Sequence, residues 1–156
     1  KIIIVGSAPQ GVKVLHSFPQ LIERAMKLDP MERFLFIFFT TTELSRSKGL
    51  AALGRLMQRT EDRDADAGMQ AIQAQIKAIT RWGTDPVTFD LSTIQHPVLI
   101  INGSNDEMMD SGNSIELFKA LPKAIVSLYP DAAHGSFFQY PEIFVDQANS
   151  FLNKFD

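Results

Sequence analysis

Residues 97–106, Pro97-Val98-Leu99-Ile100-Ile101-Asn102-Gly103-Ser104-Asn105-Asp106, run from an apolar, β-branched stretch straight into small and polar side chains. Such a run reads as a buried strand that stops in a loop, which leaves Asp106 at the edge of a sheet. A second run, Ala124 to Tyr129, ends in the same way shortly before Asp131-Ala132-Ala133-His134-Gly135. His134 follows Asp106 by 28 residues. Two consecutive strands therefore deliver a carboxylate and an imidazole to one rim, where a carboxylate can fix the tautomer and orientation of a general base.

The remainder of the chain alternates less regularly. Residues 2–5, Ile-Ile-Ile-Val, are apolar on both faces, as a strand of a parallel sheet is, and run into the loop Gly6-Ser7-Ala8-Pro9-Gln10-Gly11. Ser17 and Pro19 stand at the start of a helical pattern, Leu21, Ile22, Ala25 and Met26, which ends at Asp29-Pro30. Met31 to Phe39 is strongly apolar and fits either helix or strand. Thr42 with Glu43 predicts a cap for a helix over Leu44 to Gln58. Asp64 or Asp66 opens a further helix with Met69, Ile72, Ile76 and Ile79 on one face and Gly83 as its stop. After a linker from Asp85-Pro86 to Ile94, the order strand 98–101, helix Ser111 to Leu121, strand 124–129 and helix Pro141 to Phe155 returns to an α/β rhythm. The expected fold is α/β: a parallel sheet whose core residues 1–14 and 85–156 are interrupted by a helical lid, residues 15–84. Lys1 opens directly on a central strand, so the chain reads as the C-terminal part of a longer protein.

Composition narrows the partners. At 156 residues and 45% hydrophobic content the chain has the size of one domain able to bury about two thirds of its unfolded surface. A net charge of −3 and the absence of a basic stripe give no electrostatic reason to expect nucleic acid or an anionic membrane. The longest uninterrupted apolar run, Phe34 to Phe39, falls far short of the roughly 20 residues that span a bilayer. Zero cysteines exclude disulfides and thiolate metal sites and suit a cytoplasmic protein.

Each candidate has a bland reading as well. Asp106 without His134 would be a loop aspartate capping the helix near Ser111; the pairing reverses that. Glu107 and Asp110 are rival acids, but three carboxylates in one loop read more readily as a solvated surface than as a cation site, so no metal is expected. His134 without Asp106 would be a loop histidine packed on Phe137 or Phe138, and Gly135 beside it allows a sharp turn. His16, His96 and Trp82 read as structural. Phe34, Phe36, Phe38 and Phe39 read as core, with Phe34, Phe38 and Leu44 as candidate walls of an apolar substrate pocket. Ser7 and Ser104 sit in no strand–turn–helix elbow and are rejected as nucleophiles, and no Gly-x-Ser-x-Gly occurs. Gly6 and Gly11 lack the spacing of a dinucleotide-binding loop.

Pro97 to Gly103 with Asp106, Tyr129-Pro130-Asp131 with His134-Gly135, and Phe138-Gln139-Tyr140-Pro141-Glu142 together resemble the late motifs of the α/β-hydrolase fold, and Arg81-Trp82-Gly83 is similar to the end of a cap helix in its capped bacterial members. The resemblance covers essentially the whole chain and departs at Met109 and Asp110, where many members carry a proline. It implies a parallel-sheet α/β-hydrolase fragment with an inserted helical cap, in which Asp106 is the triad acid, His134 the base, and the nucleophile and oxyanion hole lie in an N-terminal half absent from this chain. The implied activity is cofactor-independent hydrolysis of a small ester, lactone or related acyl substrate; this chain alone would be inactive. The alternatives are the same fold with an aspartate nucleophile, as in dehalogenases and epoxide hydrolases, or a non-catalytic α/β binding module.

Overall fold

A computed structural model describes residues 1–154; Phe155, with which the sequence pattern closes the last helix, lies outside the described residues. Three strands, β1 (Ile2–Val5), β2 (Val98–Gly103) and β3 (Ala124–Tyr129), form a parallel sheet in the order β1-β2-β3. Register is set by pairing of Ile2 with Val98 and of Val98 with Ala124. Because β2 is central it is buried along its whole length, and it runs two residues further than its apolar core, to Gly103.

Side chains alternate across a strand, so each strand feeds two cores. Leu99 and Ile101 face Tyr129, Ala132 and Phe151, joined by Ile3, Val5, Ile125 and Phe144. Val98 and Ile100 face Leu117 and Leu121 on the other side. Helix α5 (Ser111–Ala120) therefore covers one face and α7 (Pro141–Lys154) the other, with the short α6 (Ser136–Gln139) leading into α7. Each fully buried Val, Leu or Ile contributes about 1.5–3 kcal/mol, which makes β2 the anchor of the sheet.

Between β1 and β2 stand α1 (Phe18–Met26), α2 (Pro30–Phe38), α3 (Glu43–Met57) and α4 (Met69–Thr84). The ambiguous stretch Met31 to Phe39 is resolved as helix by its start: Asp29 Oδ1 accepts the Met31 and Glu32 N–H groups at 3.0 and 3.1 Å, with Pro30 in the first turn. Asp29-Pro30 thus begins α2, whereas α1 already ends at Met26, with Lys27 as its C-cap, short of the end the sequence predicts. Thr42 caps α3 as its sequence predicts, accepting the Ser45 N–H at 3.1 Å.

Helix α4 departs from expectation at both ends. It begins after Gly68, not at Asp64 or Asp66, and has no side-chain cap. Gly83 does not stop it; the glycine lies inside the last turn because a Cβ there would come within 2.4 Å of the Leu15 Cβ. The stop is Asp85, the residue before Pro86, whose helical conformation the proline ring disfavours. His16 Nε2 lies 3.1 Å from the Gly83 carbonyl and Trp82 Nε1 donates to the Ala8 carbonyl at 3.1 Å. Both side chains fasten the helices to the loop after β1.

Candidate active site

In a parallel sheet all three C-terminal strand ends share one rim, where open α/β sheets bind ligands. The rim here is drawn together by backbone contacts. Ser104 N–H donates to the Tyr129 carbonyl and Asn105 N–H to the Ala132 carbonyl, both at 2.9 Å. Gly103 permits that approach, since a Cβ on it would fall 2.2 Å from the carbonyl oxygens of both Ala132 and Ala133. Gly103→Ala is therefore expected to destabilise the full-length protein by about 3 kcal/mol. Gly54→Ala, in open space on α3, should instead be neutral or stabilising by up to about 1 kcal/mol. Urea unfolding of the two variants checks the contrast.

The loop after β2 is shaped by Asn102, which is completely buried. Its Oδ1 accepts the Gly103 N–H at 2.8 Å and its Nδ2 donates to the Met109 carbonyl at 2.7 Å, closing a tight loop around Asp106. Inside that loop Asp106 Oδ1 accepts the Met108 and Met109 N–H groups at 2.8 and 2.9 Å. Its other oxygen, Oδ2, lies 2.9 Å from His134 Nδ1. Asp106 is 3% exposed, and each of its carboxylate oxygens has a partner. Capping of the following helix falls to Asp110, which accepts the Gly112 N–H at 2.8 Å. Glu107 is exposed. The structure thus gives the three carboxylates of this loop three separate situations.

A carboxylate oxygen accepts, so His134 Nδ1 is the donor in this pair and Nε2 holds the free lone pair. The imidazole is positioned by two further contacts. Its ring stacks with Phe38, centroids 5.8 Å apart and planes inclined by 28°. It also packs on Gly6, where a Cβ would come within 2.9 Å of Cε1 and where φ is +54°. Glycine is required at position 6 on both counts. Gly135, next to the histidine, donates its N–H to the Phe38 carbonyl at 2.8 Å and leaves no room for a Cβ against that same residue.

Of the three residues singled out for an apolar pocket, Phe38 stacks on the imidazole, Phe34 packs behind it against Phe38, Phe39 and Phe138, and Leu44 is 58% exposed at the start of α3. A cavity of about 460 Å³ opens beside the acid loop, with Leu28, Phe36, Phe39, Asn105, Met108 and Ala133 in its walls. Ser104 Oγ is engaged by Asn105 Oδ1 at 2.7 Å. His96 is exposed. Gly6, Asn102 and the Phe38 carbonyl escaped sequence reasoning. Gly6 had a signal, a glycine directly after an apolar strand, but its partner is remote in sequence.

A profile of the alpha/beta hydrolase fold family matches residues 13–141. This chain belongs to the α/β hydrolase fold family. Within the α/β hydrolase fold, a similar curated protein is the pimeloyl-[acyl-carrier protein] methyl ester esterase of Nitrosomonas europaea, 28% identical over 107 residues, which are 69% of this chain and 41% of that protein. Among solved structures, an alpha/beta hydrolase fold protein from Chitinophaga pinensis is 68% identical, with a TM-score of 0.97 over 99% of this chain and 56% of that one. The meta-cleavage product hydrolase of Pseudomonas fluorescens IP01 shares the fold at 17% identity and a TM-score of 0.68, covering 100% of this chain and 56% of its own. The chain thus spans about half the length of these α/β hydrolase fold relatives. Among the described residues, no helix is long and apolar enough to cross a membrane.

Proposed function

We propose that the protein carrying this chain is a cofactor-independent hydrolase of a small ester, lactone or related acyl compound, working through a nucleophile, His134 and Asp106. The observation that carries this reading is the 2.9 Å contact between His134 Nδ1 and the buried Asp106 Oδ2. It leaves Nε2 as a base with its lone pair free and its orientation fixed. The nucleophile and the donors of the oxyanion hole are contributed by residues outside these 156. The esterase name of the Nitrosomonas relative supports acyl substrates.

In this mechanism Nε2 takes the proton of the nucleophile as it attacks the acyl carbon, and the imidazolium then gives that proton to the leaving alcohol. Water repeats the sequence on the acyl-enzyme: Nε2 removes its proton, the tetrahedral intermediate collapses, and the nucleophile recovers a proton. Asp106 keeps Nδ1 as the donor throughout and stabilises the imidazolium. Residues 15–84 form the lid over this rim, on a core of residues 1–14 and 85–156. Phe38, with Phe34 behind it and Leu44 at the lid's edge, forms the apolar side of the substrate site. A cysteine-free chain fits the cytoplasm.

A fluorophosphonate probe tests the nucleophile directly, because it labels an activated serine and not a carboxylate. The full-length protein is expected to take up one label, at a serine outside residues 1–156, and His134→Ala should lose that labelling. Turnover of a haloalkane or an epoxide without any labelling would replace the serine with an aspartate nucleophile of the dehalogenase or epoxide hydrolase type.

A further inference from the structure

The loop that carries His134 is gripped from outside by one short segment, residues 38–45, between α2 and α3. Thr40 Oγ1 donates to Asp131 Oδ1 and Thr42 Oγ1 to Asp131 Oδ2, each at 2.7 Å. Gln139 Nε2 donates to the Asp131 carbonyl at 2.6 Å, and Ser45 Oγ donates to Gln139 Oε1 at 2.8 Å. The ring of contacts closes within the segment itself, because Thr40 N–H donates to Ser45 Oγ at 2.9 Å. At the end of the loop, just before α6, Gly135 N–H donates to the Phe38 carbonyl. His134 therefore lies between two clamps from residues 38–45, one at Asp131 and one at Gly135, while Asn105 holds the Ala132 carbonyl from the acid loop.

Two features set this apart from ordinary fastening of a helix to a sheet. Asp131 has φ +48°, a left-handed conformation that a residue with a Cβ adopts at a cost. Such a conformation persists where its surroundings over-determine it, and here both carboxylate oxygens and the carbonyl of Asp131 are held. The Thr40 and Thr42 hydroxyls also lower the Asp131 carboxyl below its ordinary range; burial opposes them and the Lys48 ammonium assists. Hydrogen bonds to a charged acceptor are the strong ones. The same segment supplies Phe38, whose ring stacks on the imidazole.

We infer that Asp131 and Thr40 are positioning residues for His134: the segment 38–45 holds the loop so that the imidazole meets Asp106 at one nitrogen and the nucleophile at the other. The inference rests on the proposed hydrolase reading and adds to it a role for residues that act through the loop of His134 and not on the reacting atoms; Thr40 also stands in the wall of the cavity beside the acid loop, which is why KM is read alongside kcat. Misplacing a catalytic group by about 1 Å can cost on the order of a hundredfold in rate, so loosening a clamp beside the imidazole is expected to register in kcat.

Thr40 is the cleaner probe, since Thr42 also caps α3 and replacing Asp131 by alanine would add backbone strain. In the full-length protein, with a short-chain p-nitrophenyl ester as substrate, Thr40→Val keeps the side-chain shape and removes the donor. It is expected to lower kcat on the order of tenfold to a hundredfold with KM within about twofold, while Thr40→Ser, which keeps the hydroxyl, stays near wild type. Asp131→Asn, which tolerates the left-handed backbone, should show a smaller loss in the same direction and serves if Thr40→Val does not fold. Equal losses in Thr40→Val and Thr40→Ser would overturn the positioning role. So would wild-type kcat in both Thr40→Val and Asp131→Asn with a lowered Tm, which is the signature of a purely structural contact. His134→Ala measured in parallel separates the two levels. If it is inactive while Thr40→Val is fully active, the positioning role alone falls; if it retains turnover, the hydrolase reading falls and takes this inference with it.

Discussion

Alanine at position 134 is expected to reduce turnover of the full-length protein by on the order of 10⁶-fold in kcat, as loss of the base does when nucleophile and base act as one unit. Without the imidazole nothing on this rim takes the nucleophile's proton, and the leaving group must depart unprotonated. The fold should survive. The His134 side chain is 21% exposed, so its removal opens a space that water can reach. Asp106 keeps the Met108 and Met109 N–H groups on Oδ1, and water can replace Nδ1 at Oδ2, so the expected loss of stability is about 1–3 kcal/mol. Steady-state kinetics and thermal unfolding on the same preparation check both halves. Activity within tenfold of wild type would remove His134 from the mechanism, whereas an unfolded variant would show that the Phe38 stacking supports the loop more than its exposure indicates.

What was legible in the sequence follows from how local each signal is. The parallel sheet was readable because Ile2–Val5, Val98–Ile101 and Ala124–Tyr129 are short apolar runs ending in polar loops, a pattern that needs no partner to be recognised. Asp106 and His134 were readable for the same reason, each standing just past a strand end on the same rim. The stretch Met31 to Phe39 is ambiguous in sequence because Phe and Ile suit both states, and Asp29, the cap that decides it, stands before a proline and so reads equally as the end of the preceding helix. Gly83 misled because a glycine near a helix end ordinarily marks a C-terminus; its reason for being there is Leu15, far away along the chain. The same holds for Gly6 beneath the imidazole, Asn102 across the acid loop and Thr40 on Asp131. Each is set by a tertiary contact that no periodicity encodes. Phe34, Phe38 and Leu44 share an apolar character that the sequence shows, but the stacking of Phe38 on the imidazole, with Phe34 against Phe38, is a tertiary contact that it does not.

The sharper test of the pair is Asp106→Asn, for which about a 10⁴-fold fall in kcat is expected with KM little changed, the loss seen when a triad acid can no longer hold the right tautomer. The size of the effect follows from the hydrogen bonds. Oδ1 of Asp106 already accepts two backbone N–H groups, so an asparagine in its place must keep its carbonyl oxygen there. Its NH₂ group is then left facing His134 Nδ1. Two donors cannot share that contact, and the imidazole shifts its proton to Nε2, the nitrogen that must be free to act as base. The ring stays where Phe38 and Gly6 hold it, and folding stability should fall far less than activity. Nitrogen chemical shifts of the imidazole in the full-length variant report the tautomer independently of turnover. A proton moved to Nε2 together with the 10⁴-fold loss would establish Asp106 as the orienting acid. A variant within tenfold of wild type would transfer that role to a neighbouring carboxylate, and Glu107 would be the first to test, because Asp110 is already occupied at the start of α5.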